Sequence, residues 1–428
     1  MTTGEVYKPQ AQPYVPKISN PDSTTLISQT FGHLSTTKSA FLRWHTPPAY
    51  TSTPKLKPGL SISNMGSLST VENGTVLDIG GSSLTTDIGA RLRDVLKSKD
   101  EGGKKPVLPD EYLYNDLGLE LWRRFISQHE FYQTRDEVAM FQANGKDIAK
   151  QFARDSKKLF LLDIGAGDTG KVHHLLVELE KHAQVPITYC ALDISKASLE
   201  TNVEKLAKQH SGPGSMVNIL GLWGTFQHGQ KFAREKNFDG RMIYLSLGSV
   251  LCNDEWDNAV DHLKAWKDIM RPVDLMLIGM DGHTAKDEDQ KKKLWDSYHK
   301  REDLLKPFFD NGYDGMNRSI GEQIFNDKNF EYHAELEDEP TTRHRNWITA
   351  KKDIWCEATN SMITAGQEFD WFDAHRYGPE KVKGMCSQVG LEVMKVWQAK
   401  DSHFYQYLIQ SICTPVLMDS DSGVSGVA

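Results

Sequence analysis

Leu159-Phe-Leu-Leu-Asp-Ile-Gly-Ala-Gly-Asp-Thr-Gly-Lys171 decides the fold. Four apolar residues run into an acid and then into a glycine-punctuated turn. His173-His-Leu-Leu-Val-Glu-Leu-Glu180 follows with helical spacing. Strand, tight turn and helix make the first unit of a doubly wound α/β sheet. Glycines let a ligand approach the turn backbone, and the helix start offers unpaired N–H groups. A second apolar strand, Ile187-Thr-Tyr-Cys-Ala-Leu-Asp193, ends in an acid placed to take both hydroxyls of a ribose. The pattern points to a cofactor that carries a nucleoside.

Composition excludes several classes. The chain has 428 residues, of which 39% are hydrophobic and 25% charged, enough to bury a large core in more than one lobe. A net charge of −8 argues against nonspecific nucleic-acid binding. No apolar run approaches the roughly 20 residues of a membrane span, and the N-terminus lacks the basic start and apolar core of a signal peptide. Cysteines 190, 252, 356, 386 and 413 form no CxxC pair, so they read as reduced residues of a cytoplasmic protein rather than as a zinc site or disulfide scaffold.

Residues 1–74, rich in Pro, Ser and Thr, read as a mobile or loosely packed extension. Val76-Leu-Asp-Ile-Gly-Gly-Ser-Ser83 imitates the opening stretch, but no second strand ending in an acid follows it. It is expected to be a short strand plus helix and a decoy for the cofactor site. A helix is expected after Asp116, and Thr134 with Glu137 reads as a capping box opening the next one. Ser195 is an expected N-cap. Strands continue at Val217–Gly224, Met242–Gly248 and Asp274–Asp281, with a helix from Trp256 to Met270. In a parallel sheet the ligand sits outside the carboxyl ends of the strands: Asp163 to Gly170, Asp193, Gly224 to Phe226, Gly248 to Asn253, and Asp281. From about 284 to 375 the alternation breaks, as for an inserted lobe capping the sheet. Val393–Trp397 and Phe404–Gln410 then form a closing hairpin at a sheet edge.

Two cofactors compete for the turn. Gly165-Ala-Gly-Asp-Thr-Gly170 satisfies GxGxxG, and Asp193 lies near the ribose-acid spacing, which makes a dinucleotide oxidoreductase the rival reading. Asp163 would repel a pyrophosphate but suits a cationic amine, and Lys171 suits a carboxylate. The strand ends also show no evident proton relay for hydride transfer. S-adenosylmethionine, with an amino-acid tail, a ribose and no phosphate, fits this mixture better.

Tyr114 to Trp122 with Glu130 to Glu137, Asp163 to Lys171, Ala191 to Ser195 and Leu247 to Asn253 carry a resemblance in register, and Gly224-Thr-Phe226 with the ending Phe404-Tyr-Gln406 narrow it to one branch. From about residue 75 onward the chain resembles the amino-acid Nα-methyltransferases that include the histidine methyltransferases of ergothioneine synthesis. It is more similar to the fungal dimethylallyltryptophan N-methyltransferase branch. The resemblance implies a Rossmann-like methyltransferase sheet, mainly parallel, formed by residues 137–283 and 376–428. Residues 75–136 and 284–375 would form the substrate-capping lobe.

It also implies roles. Gly165, Gly167 and Lys171 would hold the methionine part of the cofactor, Asp193 its ribose, and Thr225 and Phe226 its adenine, with Asp163 and Gly248 completing the cradle. Asn253 and Tyr298 match residues that grip a substrate carboxylate. Gly248 would face the amine with its carbonyl, and Tyr114 would position that amine, so that Tyr114 and Asn253 are the catalytic candidates. The alternatives are a helix cap for Asn253 and an exposed position on a charged helix for Tyr298. Where the histidine enzymes read imidazole with tyrosine, glutamate and serine, this chain has Phe131, Phe372 and Ala374; a one-residue shift would substitute Trp371 or Asp373.

The expected function is Nα-methylation of an aromatic or otherwise apolar amino acid, or of a derivative such as a prenylated tryptophan, in specialised metabolism. The other readings are an NAD-type oxidoreductase and a catalytically silent methyltransferase-like binding protein.

Overall fold

β1 (Thr75–Asp78) is the first strand of the computed structural model, which describes Leu68 and residues 71–99, 105–236 and 238–412. It is followed by α1 (Leu84–Lys97), α2 (Asp116–Ile126) and α3 (Tyr132–Ala153). The βα alternation comes next: β2 (Leu159–Ile164), α4 (Gly170–His182), β3 (Ile187–Asp193), α5 (Lys196–Gln209), β4 (Val217–Trp223), α6 (Phe226–Glu235), β5 (Arg241–Ser246), α7 (Trp256–Lys267) and β6 (Leu275–Asp281). The inserted stretch holds α8 (Glu288–His299), α9 (Glu302–Ile320), β7 (Phe330–Glu337), β8 (Arg343–Ala350), β9 (Ile354–Cys356), β10 (Ser361–Ile363) and β11 (Glu368–His375). α10 (Pro379–Gln388), β12 (Leu391–Gln398) and β13 (Phe404–Ser411) close the chain.

Eight strands form one sheet in the order β1-β4-β3-β2-β5-β6-β13-β12. The first six are parallel, and β13 runs antiparallel between β6 and β12. β2 and β3 are buried at every position, as strands covered by helices on both faces must be. Strand order reverses between β2 and β5, and that switch point is where the glycine turn lies. Ser195 caps α5 as expected, its hydroxyl accepting from Ser198 N at 3.2 Å. The closing hairpin does end the sheet, with β12 at the edge.

The second lobe packs α1, α2 and α9 with the antiparallel sheet β11-β8-β7 and the short β9–β10 pair around its own apolar cluster. Alternation along β8 turns His344, Asn346, Ile348 and Ala350 inward. β11 is bulged between Asp370 and Phe372. The extra residue lets Trp371 and Phe372 both be buried, where strict alternation would expose one of them.

Three expectations change. β1 belongs to the large sheet and not to the capping lobe: Thr75–Asp78 pair with Leu220–Trp223, covering an edge that β4 would otherwise leave bare. Just before it, Leu68 is buried, Val71 packs on the core, and Asn73 accepts from Ile219 N at 2.8 Å, so the end of the proposed extension is stitched to the sheet. The rest of that extension lies outside the described residues, as does Cys413. The capping box at Thr134 is absent. α3 starts at Tyr132 with Phe131 at its N-cap, which turns Glu137 into the interior. Cysteines 190, 252, 356 and 386 are buried and free. Among the described residues, no helix is long and apolar enough to cross a membrane.

Candidate active site

The turn after β2 requires its glycines. Gly165 and Gly167 have φ of +70° and +51°, the left-handed region that side chains disfavour. Asp193 ties this turn to the next: its Oδ2 accepts from Gly167 N at 2.9 Å and its Oδ1 from Ser195 N at 3.0 Å. Each oxygen keeps a lone pair for a ribose hydroxyl. Asn202, on α5, donates to Gly167 O at 3.0 Å and fixes the turn from outside. A Cβ on Gly165 would lie 3.5 Å from the Phe226 ring, which places that ring against the turn. Thr225 is the N-cap of α6: its hydroxyl accepts from His228 N, and His228 Nδ1 accepts from Thr225 N. The Thr225 side chain therefore orients α6, and Phe226 is the part of this pair that presents a surface.

Three charges meet beside the turn. Lys171 Nζ pairs with Glu137 Oε2 at 3.0 Å, and Asp163 lies close to both. Tyr189 donates to Asp163 Oδ2 at 2.6 Å, while Asp163 Oδ1 is buried with no partner. Two carboxylates against one ammonium leave a deficit of one positive charge, and an orphaned buried oxygen marks where a cation is accepted. The methionine end of S-adenosylmethionine carries an ammonium for Asp163 and a carboxylate for Lys171, so these residues fit it. Burial, offset in part by the Tyr189 bond and Lys171, pushes Asp163 up to about 6. The acid is thus charged above that value and neutral below it. Adenosylhomocysteine should bind well at pH 7–8 and progressively less well below pH 6, as Asp163 loses the charge that its ammonium needs. Calorimetric titration across this range tests the point; a flat profile, or an Asp163→Asn variant with the same step, would refute it.

The loop after β5 faces these charges. Gly248 has φ +74°, and a Cβ there would lie 2.5 Å from Lys171 Nζ. Its N–H donates to Glu137 Oε1 at 3.2 Å. Ser249 also adopts a positive φ, of 59°, and its hydroxyl accepts from Asp281 N at 2.9 Å, locking the ends of β5 and β6 together. Asn253 is not a helix cap, since Glu255 holds that position for α7. Its amide bonds like a peptide to β11, donating to Asp373 O at 3.0 Å and accepting from His375 N at 2.7 Å. One amide hydrogen remains for a ligand.

The residues expected on the substrate side fall in one aromatic cluster. Trp122, on α2, lies 5.8 Å from both Phe131 and Phe372 and 5.2 Å from Phe308. Tyr298 joins Phe131 at 5.6 Å and Phe372 at 6.2 Å, and Tyr114 meets Phe308 edge-on at 5.4 Å. Tyr298 is buried at 4% exposure, which removes the exposed-helix alternative. Burial pushes its phenol up to about 12 and that of Tyr114 well above the usual tyrosine range, so both remain neutral donors at physiological pH. Of the two adjacent buried residues at the bulge, it is Phe372 that faces Trp122 and Tyr298, with Ala374 buried in the same cluster. Trp371 stacks instead on Tyr313, with 5.3 Å between centroids. Sequence reasoning gives Trp122, Glu137 and Arg376 no functional role. Trp122 lies in an apolar helical stripe and Glu137 in a capping pattern, while nothing local marks Arg376. Among the described residues, no group of three or more His, Cys, Asp or Glu could hold a metal ion.

A parallel sheet with an antiparallel strand inserted near one edge, a glycine turn beside two acids and a lysine, and a buried acid ending the next strand fit an S-adenosylmethionine-dependent methyltransferase. Residues 88–411 match the family described as histidine-specific methyltransferase, SAM-dependent, and the chain belongs to that family. It is 25% identical over 340 residues to N-methyltransferase imqF of Aspergillus flavus, covering 78% of this chain and 88% of that protein. Ergothioneine biosynthesis protein 1 of Neurospora crassa is 25% identical over 341 residues, 79% of this chain but 37% of that longer protein. The 4-dimethylallyltryptophan N-methyltransferase easF of Claviceps purpurea is 34% identical over 160 residues, 37% of this chain and 44% of that one. The chain is accordingly an S-adenosylmethionine-dependent N-methyltransferase, and the oxidoreductase reading of the glycine turn falls.

Proposed function

We propose that the enzyme methylates the α-amine of an aromatic or otherwise apolar amino acid, or of a derivative such as a prenylated tryptophan, within specialised metabolism in the cytoplasm. The observation that carries this reading is the ring cluster of Trp122, Phe131, Tyr298, Phe308 and Phe372 in the capping lobe. Bound S-adenosylmethionine supplies an electrophilic methyl group. The protein's task is to present a neutral amine to it in line, and orientation accounts for most of the acceleration. Tyr298 and the remaining Asn253 amide hydrogen donate to the carboxylate. The Gly248 carbonyl and Tyr114 hold the amine. Lys171, Asp163, Gly165, Gly167, Asp193 and Phe226 keep the cofactor in place. Supporting the substrate class, one relative is named for 4-dimethylallyltryptophan.

An imidazole at Phe131, Phe372 and Ala374 would lose its polar partners, at about 1–3 kcal/mol for each group left unsatisfied. Histidine should therefore be used less efficiently than the preferred substrate by about 5- to 150-fold for each such loss. Screening free amino acids by mass, in increments of one methyl, tests the proposal and counts the methyls added. Histidine as the best substrate would overturn it.

A further inference from the structure

Asp281, the last residue of β6, forms a buried ion pair with Arg376, the residue after β11; they are 0% and 4% exposed. The carboxylate is fully engaged. Its Oδ2 accepts from Tyr132 Oη at 2.5 Å, Gln133 Nε2 at 3.2 Å and Arg376 Nε at 3.1 Å, and its Oδ1 from His283 N at 3.1 Å. The guanidinium is not. Nε serves Asp281 and Nη1 donates to Ala374 O at 3.0 Å, while Nη2 is buried with no acceptor in hydrogen-bond geometry, the Tyr132 hydroxyl being its nearest electrostatic partner. Arginine keeps its charge in proteins, so this donor cannot be removed by deprotonation. A buried donor left empty in a native site calls for an explanation, and a ligand oxygen is one.

The neighbours say which ligand. The guanidinium carbon lies 5.9 Å from the centre of the Tyr298 ring. His375, the residue before Arg376, donates its N–H to Asn253 Oδ1. The guanidinium thus lies against the face of Tyr298, and the backbone just before it is held by Asn253, the two residues proposed to hold the substrate carboxylate, at the end of the strand that carries Phe372 and Ala374. We propose that Arg376 is a cationic anchor for the substrate carboxylate, oriented by Asp281, which acts as its positioning residue. The inference rests on the amino-acid reading of the site and adds a charge to what would otherwise be neutral recognition. It also gives a reason for a free acid to be preferred over an amide: the amide's NH2 would meet a donor with another donor.

The test compares free L-tryptophan, L-tyrosine, L-phenylalanine and L-leucine with their carboxamides, using wild-type enzyme, Arg376→Gln and Arg376→Lys, with adenosylhomocysteine affinity as the control for folding. Wild type should favour the acid of its best substrate by at least about 100-fold, the range for a charged hydrogen-bond partner removed from a buried site. Arg376→Gln should bring the acid-to-amide ratio near one without weakening adenosylhomocysteine binding. Arg376→Lys should restore part of the preference, and it decides the matter if the glutamine variant does not fold. An unchanged ratio in the variant that folds overturns the assignment, even if overall turnover falls. If wild type methylates none of the free amino acids but accepts their amides, the amino-acid reading itself fails, and the assignment fails with it.

Discussion

Asn253→Ala is expected to lower kcat/KM by about 10²- to 10³-fold, the scale associated with misplacing a reactant by an ångström. Two losses coincide. The variant removes the amide hydrogen proposed to reach the substrate carboxylate. It also unclasps β11, because Asp373 O loses its donor and His375 N its acceptor. Phe372, Ala374 and Arg376 all follow that segment, so the side-chain pocket and the carboxylate end shift together. Leaving two backbone groups unsatisfied costs about 1–3 kcal/mol each, so some stability should be lost as well. Adenosylhomocysteine affinity should change little, since the glycine turn and Asp193 lie on other strands. Asn253→Asp sharpens the test: its oxygen can still accept from His375, but it opposes the Asp373 carbonyl and repels a substrate carboxylate. Near-normal transfer to a free amino acid in either variant would sink the role given to Asn253.

The contrast between what the sequence discloses and what it hides follows from the range of the interactions. Leu159 to Lys171 is legible because a buried parallel strand must be apolar throughout and a left-handed turn selects glycine; both are local demands. Asp193 is legible for the same reason, at the end of the next apolar run. Phe131 and Phe372 emerge as departures from a resemblance, and the structure brings them within reach of one tryptophan. Glu137 was hidden because Thr134-x-x-Glu137 is an equally good local pattern for a helix start; only packing against Gly248 and Gly279 shows that the acid points inward. Arg376 was hidden for a different reason. Its partner Asp281 is 95 residues away, on a different sheet. The bulge at Trp371 likewise depends on pairing with β8, so periodicity alone leaves the register open by one residue. β1 shows the opposite case: its local pattern gives a strand but says nothing of which sheet takes it, and only its pairing with β4 puts it in the large one.

Glu137→Ala is expected to be among the most destabilising single substitutions at this site. Glu137 is fully buried, its Oε2 pairs with Lys171 Nζ at 3.0 Å, and its Oε1 accepts from Gly248 N at 3.2 Å. Removing one member of a buried pair typically costs about 3–5 kcal/mol, because the other charge is left without compensation. Here the cost should fall toward the lower end: Lys171 can turn to Asp163, whose Oδ1 is free. That relief has a functional consequence. A lysine bound to Asp163 neutralises the acid meant for the cofactor's ammonium and is itself drawn from the cofactor's carboxylate. Adenosylhomocysteine affinity should therefore fall along with stability, and Glu137→Gln, which keeps the shape and the Gly248 contact, should fall between the alanine variant and wild type. Gly279→Ala offers an independent route to the same outcome. Its Cβ would sit 2.1 Å from Glu137 Oε1, so the carboxylate must leave its place although no charge has been changed. Urea unfolding at constant slope, with calorimetry for adenosylhomocysteine, measures both effects. If Glu137→Ala unfolds at the wild-type midpoint, the ion pair is not what holds α3 against the sheet, and the glycines at 248 and 279 need another explanation.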